Sequence, residues 1–312
     1  MRSKDKKNLL YNSLLALILC LVCIVCILSV MLFLQTLEGQ DSSQQSSSSQ
    51  LALTGQSQSS ASQESSKKEV ESKPQELVKG SNHNQAASAY AYKAQDVRKL
   101  LYDPKASDKK IVFLTFDDGI DPTLTPQGMD ILKEYGVHAT FFHIGYTISQ
   151  ENADILKRQI TEGHAIANHS LSHNFNLLYP GRVPNKSQIV SEVDQTNANF
   201  QAILGKDFKT RIFRYPGGHM SWQGLEATDH ALANQGIQWI DWNMLCGDAE
   251  PASVRPTTSE TMMAYMDGSQ QYFPESHVKV VLMHDAAGKE LTVQTLPQII
   301  EYFKNQGYTF GV

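Results

Sequence analysis

Short apolar runs alternate with segments of helical hydrophobic period between about residue 109 and the C-terminus. A short run of consecutive apolar residues predicts a strand that is covered on both faces, as in a parallel sheet. Strands are predicted at 111–116, 139–144, 164–168, 211–215, 238–243, 278–284 and 308–311, and the longer helices at 187–204, 225–234 and 296–304. This alternation predicts an α/β domain, an open or distorted (β/α) barrel whose chemistry gathers at the carboxyl ends of the strands.

The N-terminus has a different pattern. Residues 9–34 form an apolar stretch that is interrupted only by Asn12, Ser13 and Ser29, and basic residues precede it without following it. A helix of this length crosses a hydrocarbon core of about 30 Å. With the positive-inside rule, the pattern predicts a cytoplasmic basic tail at 1–8, a single transmembrane anchor at 9–34, and an extracellular remainder attached to the cell membrane. The alternative is a cleaved secretion signal, which would also export the remainder.

Residues 35–94 are predicted to form a disordered linker. Serine and glutamine dominate the first part of this segment. Such a composition buries too little apolar surface to offset the entropy of ordering the chain. The catalytic domain is therefore predicted to span residues 95–312, enough chain for one sizeable core.

The cysteine content and the net charge bear on two further properties, disulfide bonding and nucleic-acid binding. Of the four cysteines, only Cys246 lies outside the predicted anchor, so no disulfide is expected within the exported domain. The formal net charge is −5, and no basic stripe is present. Nucleic acid is therefore not expected as a partner.

Two motifs indicate metal chemistry. Asp117 and Asp118 follow the first predicted strand, and His169 and His173 lie four residues apart, so both rings reach one side of a helix or turn. A metal bound by Asp118, His169 and His173 would leave coordination positions open for water and substrate, as in catalytic sites, while Asp117 stays available to accept a proton. The simpler alternatives are a helix-capping Asp-Gly turn and a helix face with two ordinary imidazoles. Iron oxygenases use a similar ligand set, but neither histidine is followed two residues later by an acid.

Five motifs in order carry a resemblance to a known family: TFDDG at 115–119, HSLSH at 169–173, RYPGG at 214–218, a segment ending in Gly247-Asp248, and LMH at 282–284. The chain resembles the polysaccharide deacetylases of carbohydrate esterase family 4, which include bacterial peptidoglycan N-acetylglucosamine deacetylases. The resemblance covers about residue 109 to the C-terminus and implies a distorted (β/α) barrel.

The resemblance also implies roles for single residues. Asp117 would be the general base, and Zn²⁺, or another divalent ion such as Co²⁺, would be held by Asp118, His169 and His173. Arg214 would pair with Asp117, and the backbone N–H of Gly217 would bind the oxyanion. His284 would be the general acid, oriented by Asp248.

Two positions depart from the family pattern, which often has aromatic residues where Gly217 and Ala249 stand in this chain. Tyr215, Trp222 or Trp242 is expected to offer a stacking surface for sugar instead, although each is equally explained as core. An alternative alignment would use Asp241 in place of Asp248.

The function implied is removal of N-acetyl groups from N-acetylglucosamine in a cell-surface polysaccharide, with peptidoglycan as the expected substrate. The alternatives are an O-acetyl esterase acting on another glycan and a catalytically silent surface module that binds glycan or protein. The expected partners are the acetylated polysaccharide and the membrane, which the N-terminal helix would enter.

Overall fold

The computed structural model describes residues 73–103, 107–273 and 275–312. The predicted tail, the anchor at 9–34 and most of the predicted linker lie outside these residues. Among the helices of the described part, none is both long and apolar enough to cross a bilayer. All the described residues belong to one compact unit.

A parallel sheet forms the centre of this unit. Its strands follow the chain order β1 Ile111–Asp117, β2 Ala139–His143, β3 Ala165–Asn168, β4 Ile212–Phe213, β5 Gln238–Trp239, β6 Met244–Leu245, β7 Val278–His284 and β8 Thr309–Phe310. Hydrogen bonds connect them in the order β5-β4-β3-β2-β1-β7-β6, and β8 pairs with the start of β1. The result is a curled half-barrel with β1 near its centre, which agrees with the α/β class and the parallel sheet predicted from the sequence.

Helices cover the sheet. They are α1 Ala94–Tyr102, α2 Leu124–Glu134, α3 Ala153–Thr161, α4 Phe175–Leu178, α5 Lys186–Leu204, α6 Glu226–Asn234, α7 Ser259–Ser269 and α8 Glu290–Asn305. The longest, α5, begins where the Asn185 side chain accepts a hydrogen bond from the Gln188 N–H and ends at Gly205, whose φ is 91°. Both features are common at helix ends. The side chain of the N-cap residue accepts a hydrogen bond from a backbone N–H that has no partner within the helix, and glycine tolerates the positive φ that follows the last turn.

Alternate residues of β1 enter different clusters. Val112, Leu114 and Phe116 pack with apolar side chains of α2 and α8. Ile111 and Phe113 instead pack with residues of β2, β7 and the chain after β5. Because side chains alternate along a strand, Asp117 shares the face of Ile111 and Phe113 and points to the inner side of the curled sheet.

The predicted strand 238–243 is observed only at its first two residues, as β5 Gln238–Trp239, and a separate strand, β6, begins just beyond it at Met244. β5 pairs with β4, whereas β6 pairs with β7 on the other side of the sheet. Between them Asp241 accepts hydrogen bonds from a neighbouring loop, and the Asn243 side chain bonds to the backbone of Val278 and Val280. These side-chain bonds replace the strand ladder and allow the chain to change neighbours.

The folded region begins earlier than the predicted boundary at residue 95. The buried Asn82 side chain donates a 2.9 Å hydrogen bond to the carbonyl of Ile166 in β3. The Gly80 N–H donates to the carbonyl of Asp207 at 2.7 Å. Residues 73–94 are therefore a packed edge of the domain, which corrects their assignment to the linker.

Candidate metal centre and active site

The polar residues singled out from the sequence meet at the carboxyl ends of the strands. Asp117 ends β1 and His284 ends β7, while His169 follows β3 and Arg214 follows β4. Parallel strands deliver such residues to one rim, which is the usual place for catalysis in barrels of this kind.

Asp117 and Arg214 form a buried ion pair. Arg214 Nη1 lies 2.7 Å from Asp117 Oδ1, and the guanidinium has no exposed surface. Its remaining N–H groups donate to Thr115 Oγ1 and to the carbonyls of Ile240 and Asp241. A buried charge is tolerable when it is paired and its donors are satisfied, so this network holds the Asp117 carboxylate in one orientation.

Asp118, His169 and His173 form a cluster with the geometry of a metal site. One ligand atom from each lies within 4.8 Å of the others, and Asp118 Oδ1 is 3.6 Å from Nε2 of both histidines. Ligands about 2.0–2.1 Å from a tetrahedral zinc ion would be roughly 3.4 Å apart. Within the described residues, the buried Asp118 Oδ1 has no hydrogen-bond partner. An orphaned carboxylate oxygen beside two imidazoles fits a divalent cation.

The His169 ring is fixed in the form that a metal requires. Its Nδ1 lies 2.8 Å from the carbonyl oxygen of Arg214, so Nδ1–H donates and Nε2 faces Asp118. Burial, followed by the charge of the nearby His173, lowers the pKa of His169 to about 3. The imidazole is therefore neutral at ordinary pH, with a lone pair on Nε2.

His169 and His173 lie in a loop, not on a helix. Ser170 and His173 have positive φ values of 66° and 51°. Asn168 Oδ1 accepts the Ser170 N–H, and Ser170 Oγ accepts the His173 N–H. These local bonds compensate for unfavourable backbone conformations and bring the rings to a centroid distance of 4.9 Å. Of the two alternatives left open by the spacing, the turn is the one observed.

Glu192 holds the same loop from below, and the sequence analysis missed it. This buried residue of α5 accepts hydrogen bonds from the N–H groups of Leu171 and Ser172 and from the Ser172 hydroxyl, at 2.8–3.1 Å. It lies about 20 residues beyond the motif. The sequence signal for it is an acid at helical spacing from the buried Ile189, Val193 and Phe200 of α5.

His284 is oriented by Asp248. The two side chains meet at 2.8 Å between Nδ1 and Oδ1, and Asp248 Oδ2 accepts the His284 N–H and the Thr292 hydroxyl. His284 Nε2 then lies 3.9 Å from Asp118 Oδ2. Burial alone would lower the pKa of His284, but the hydrogen bond and charge of Asp248 outweigh burial and raise it. The raised pKa favours the protonated ring that a general acid needs.

Asp241, the alternative partner, is engaged elsewhere. Its buried carboxylate accepts the backbone N–H groups of His219 and Met220. The structure therefore pairs His284 with Asp248, and Asp241 instead holds the loop that follows Gly217.

Comparisons with known proteins give the family. A family model described as polysaccharide deacetylase matches residues 104–240. A solved structure of a Streptococcus mutans CE4 esterase is 53% identical, covers 77% of this chain and 99% of its own, and has a TM-score of 0.74. The chain belongs to the polysaccharide deacetylase family.

Two curated relatives differ in how much of their length matches this chain. A Bacillus cereus peptidoglycan-N-acetylglucosamine deacetylase is 29% identical over 205 residues, 65% of this chain and 86% of the relative. A bifunctional xylanase/deacetylase of Pseudobutyrivibrio xylanivorans is 34% identical over 203 residues. The chain spans only 30% of the length of the latter. Deacetylase domains of this kind thus occur nearly alone and as parts of larger proteins.

Tyr215, Trp222 and Trp242 occupy different positions in this deacetylase. Tyr215 is fully buried, and its hydroxyl donates to Asp229 at 2.7 Å, so its expected role as a stacking surface is wrong. Trp222 and Trp242 are half-buried. Trp242 packs beside Arg214, with 5.6 Å between the guanidinium carbon and the ring centre.

Gly217 lies at the exposed rim of the deacetylase site with φ of 79°, a value that side-chain-bearing residues rarely adopt. Its N–H remains our candidate oxyanion donor. The neighbouring Gly218 N–H is used within the turn, where it donates to the Tyr215 carbonyl.

Proposed function

We propose that this polysaccharide deacetylase is a zinc-dependent hydrolase that removes N-acetyl groups from N-acetylglucosamine residues of a cell-surface polysaccharide, with peptidoglycan as substrate. The observation that carries the proposal is the joint arrangement of base, acid and ligands. Asp117 Oδ2 lies 3.6 Å from His169 Nε2, and His284 Nε2 borders the same cluster through Asp118. The activity named for the Bacillus cereus relative supports the choice of substrate.

Asp118, His169 and His173 would hold the metal. When bound there, Zn²⁺ or a similar ion such as Co²⁺ would lower the pKa of a coordinated water and polarise the acetyl carbonyl. The imidazole nitrogens and the carboxylate suit zinc, and the three-ligand set leaves room for substrate.

The chain's own residues move the protons. Asp117 accepts a proton as water adds to the acetyl carbon, and Arg214 keeps its carboxylate aimed at the site. The Gly217 N–H hydrogen-bonds the oxygen on which negative charge develops. His284 gives a proton to the sugar nitrogen as the C–N bond breaks, so acetate and a free amine leave. Each proton-transfer partner contributes about 10²–10⁴-fold to the rate.

A substrate panel tests the proposal. The zinc-loaded full-length chain is incubated with N-acetylglucosamine oligomers, purified peptidoglycan and O-acetylated xylan, and released acetate is measured with and without a chelator. We expect chelator-sensitive release from the amino-sugar polymers. Absence of release from all three, with zinc bound, would contradict an enzymatic role and would favour a silent binding module.

An O-acetyl esterase is the second candidate. It is favoured by the description of the Streptococcus mutans structure as an esterase and by the relative that joins xylanase to deacetylase. The same residues serve both reactions, because ester and amide hydrolysis pass through similar tetrahedral intermediates. Release from xylan without release from peptidoglycan would select this alternative.

We further propose that residues 9–34 anchor the chain in the cell membrane, with the Ser- and Gln-rich segment as a spacer and the catalytic domain outside. The apolar stretch and its one-sided basic flank support this location. Protease added to intact cells should remove the catalytic domain from a chain tagged at its N-terminus. A domain that resists protease until the cells are lysed would contradict the proposal.

A further inference from the structure

Three aromatic side chains form a contiguous group of rings beside the metal cluster. Phe175 lies 5.3 Å from the His173 ring and 5.4 Å from the Trp222 ring, measured between centroids. Trp222 in turn stacks on Tyr179 at 3.8 Å. We call Phe175, Tyr179 and Trp222 the aromatic platform. None of its members has a role in the proton transfers.

The platform fills the space beside Gly217. A Cβ atom added at Gly217 would lie 3.2 Å from Phe175 Cζ and 3.5 Å from the Trp222 ring. A contact of 3.2 Å is tighter than ordinary van der Waals contact, whereas 3.5 Å is not, so the absence of a side chain at Gly217 gives the Phe175 ring room beside the loop that carries the candidate oxyanion donor.

Two members of the platform are held in place by their neighbours, and the third is exposed to solvent. Trp222 Nε1 donates to the Pro216 carbonyl at 2.9 Å, the Tyr179 ring is buried beneath Trp222, and the Arg182 guanidinium covers part of Trp222. Phe175, by contrast, is 43% exposed. An exposed ring on a fixed support costs little entropy when it binds a ligand.

We infer that Phe175, supported by Trp222 and Tyr179, is a specificity residue that stacks on the sugar ring next to the one being deacetylated. This inference rests on the proposed function and deepens it, because it requires a polymer of acetylated sugars and not a monomer. His173 contacts Asp118 through Nε2 and Phe175 through its ring, so the platform starts one side chain away from the reacting centre. Aromatic surfaces provide large, orientable apolar area, which suits the C–H face of a pyranose.

Leu177 provides a matched control. It lies on the same short helix, α4, and is 47% exposed, close to the value for Phe175. Its side chain is not part of the ring contacts that join Phe175 to His173 and Trp222. A general effect of removing an exposed apolar side chain from α4 would therefore appear equally in Phe175→Ala and Leu177→Ala.

The test measures binding and turnover separately. The full-length zinc-loaded chain carrying Asp117→Asn is titrated with N-acetylglucosamine tetramer and monomer, alone and combined with Phe175→Ala, Phe175→Tyr or Leu177→Ala. We expect Phe175→Ala to weaken tetramer binding about tenfold, equivalent to about 1.4 kcal/mol. Monomer binding, zinc content and the behaviour of Leu177→Ala should stay unchanged, and Phe175→Tyr should bind like the parent.

Equal tetramer binding by Phe175→Ala and its parent, equal weakening by Leu177→Ala, or no tetramer binding at all would overturn the inference. Acetate release by the otherwise native chain tests the proposed function independently. Tetramer binding that depends on Phe175, without acetate release, would reject the hydrolase and retain the platform. Acetate release with a KM that Phe175→Ala leaves unchanged would retain the hydrolase and reject the platform.

Discussion

Glu192→Gln should weaken metal binding although Glu192 is not a ligand. The carboxylate accepts hydrogen bonds from two backbone N–H groups and one hydroxyl of the 169–173 loop, and from Gln188 Nε2. A carboxamide has one acceptor oxygen and one donor group. Whichever way it turns, its NH₂ faces a donor, either the loop N–H groups or Gln188.

The expected magnitude follows from those contacts. At least one hydrogen bond to a charged acceptor is lost in a residue that is only 1% exposed, which costs about 1.5–3 kcal/mol of unfolding free energy. The loop holds His169 and His173, two of the three proposed ligands. Loss of a partner that orients metal ligands typically costs about 10–100-fold in metal affinity, and we expect an increase of that size in the zinc dissociation constant.

Zinc affinity is measured by competition with a chromophoric chelator, and unfolding free energy by denaturant titration of the metal-free chain. Gln195→Glu is the control, because it makes the reverse isosteric change on the same helix at an exposed position. If Glu192→Gln bound zinc within twofold of the native chain, Glu192 would not hold the loop in the way its contacts indicate.

Two further predictions concern pH. Asp248→Asn removes the charge that raises the pKa of His284, so the alkaline limb of the kcat/KM profile should move to lower pH; an unmoved limb would argue that His284 is not the acid. His164 is buried, and burial lowers its pKa from 6.5 to about 3, so only the unfolded state gains a proton below about pH 6.5 and stability falls on acidification. His164→Asn, which keeps an acceptor for the Ala139 N–H, should reduce that slope by about 1.4 kcal/mol per pH unit between pH 6 and 4. If denaturant titrations at several pH values gave both chains the same dependence of unfolding free energy on pH, the prediction for His164 would be refuted.

Much of the candidate site could be predicted from the sequence, because buried parallel strands appear as runs of apolar residues. The apolar run of β1 ends at Asp117, and that of β7 ends at His284, so strand order along one rim brings them together. The register of the two strands makes Asp117 and His284 direct partners across β1 and β7, so their side chains lie close together.

Hydrophobic periodicity could not detect features made by hydrogen bonds. Asp241 and Asn243 interrupt the predicted strand 238–243 through side-chain bonds to other segments. Residues 73–94 lack an apolar run, yet they pack on the domain through contacts such as that of Asn82. Glu192 has no sequence relation to the loop that it holds. In each case, the hydrogen-bond partner is distant in sequence, so a pattern of neighbouring residues does not predict it.

In the proposed mechanism, the general base and the metal ligands are separate residues of one site. The measurement that tests it most directly is acetate release from peptidoglycan and zinc content, determined on the same samples of the native chain, Asp117→Asn and His169→Ala. We predict that Asp117→Asn keeps its zinc and loses at least about 10²-fold in rate, whereas His169→Ala loses both. Near-native release by zinc-loaded Asp117→Asn, or full zinc retention by His169→Ala, would contradict the account.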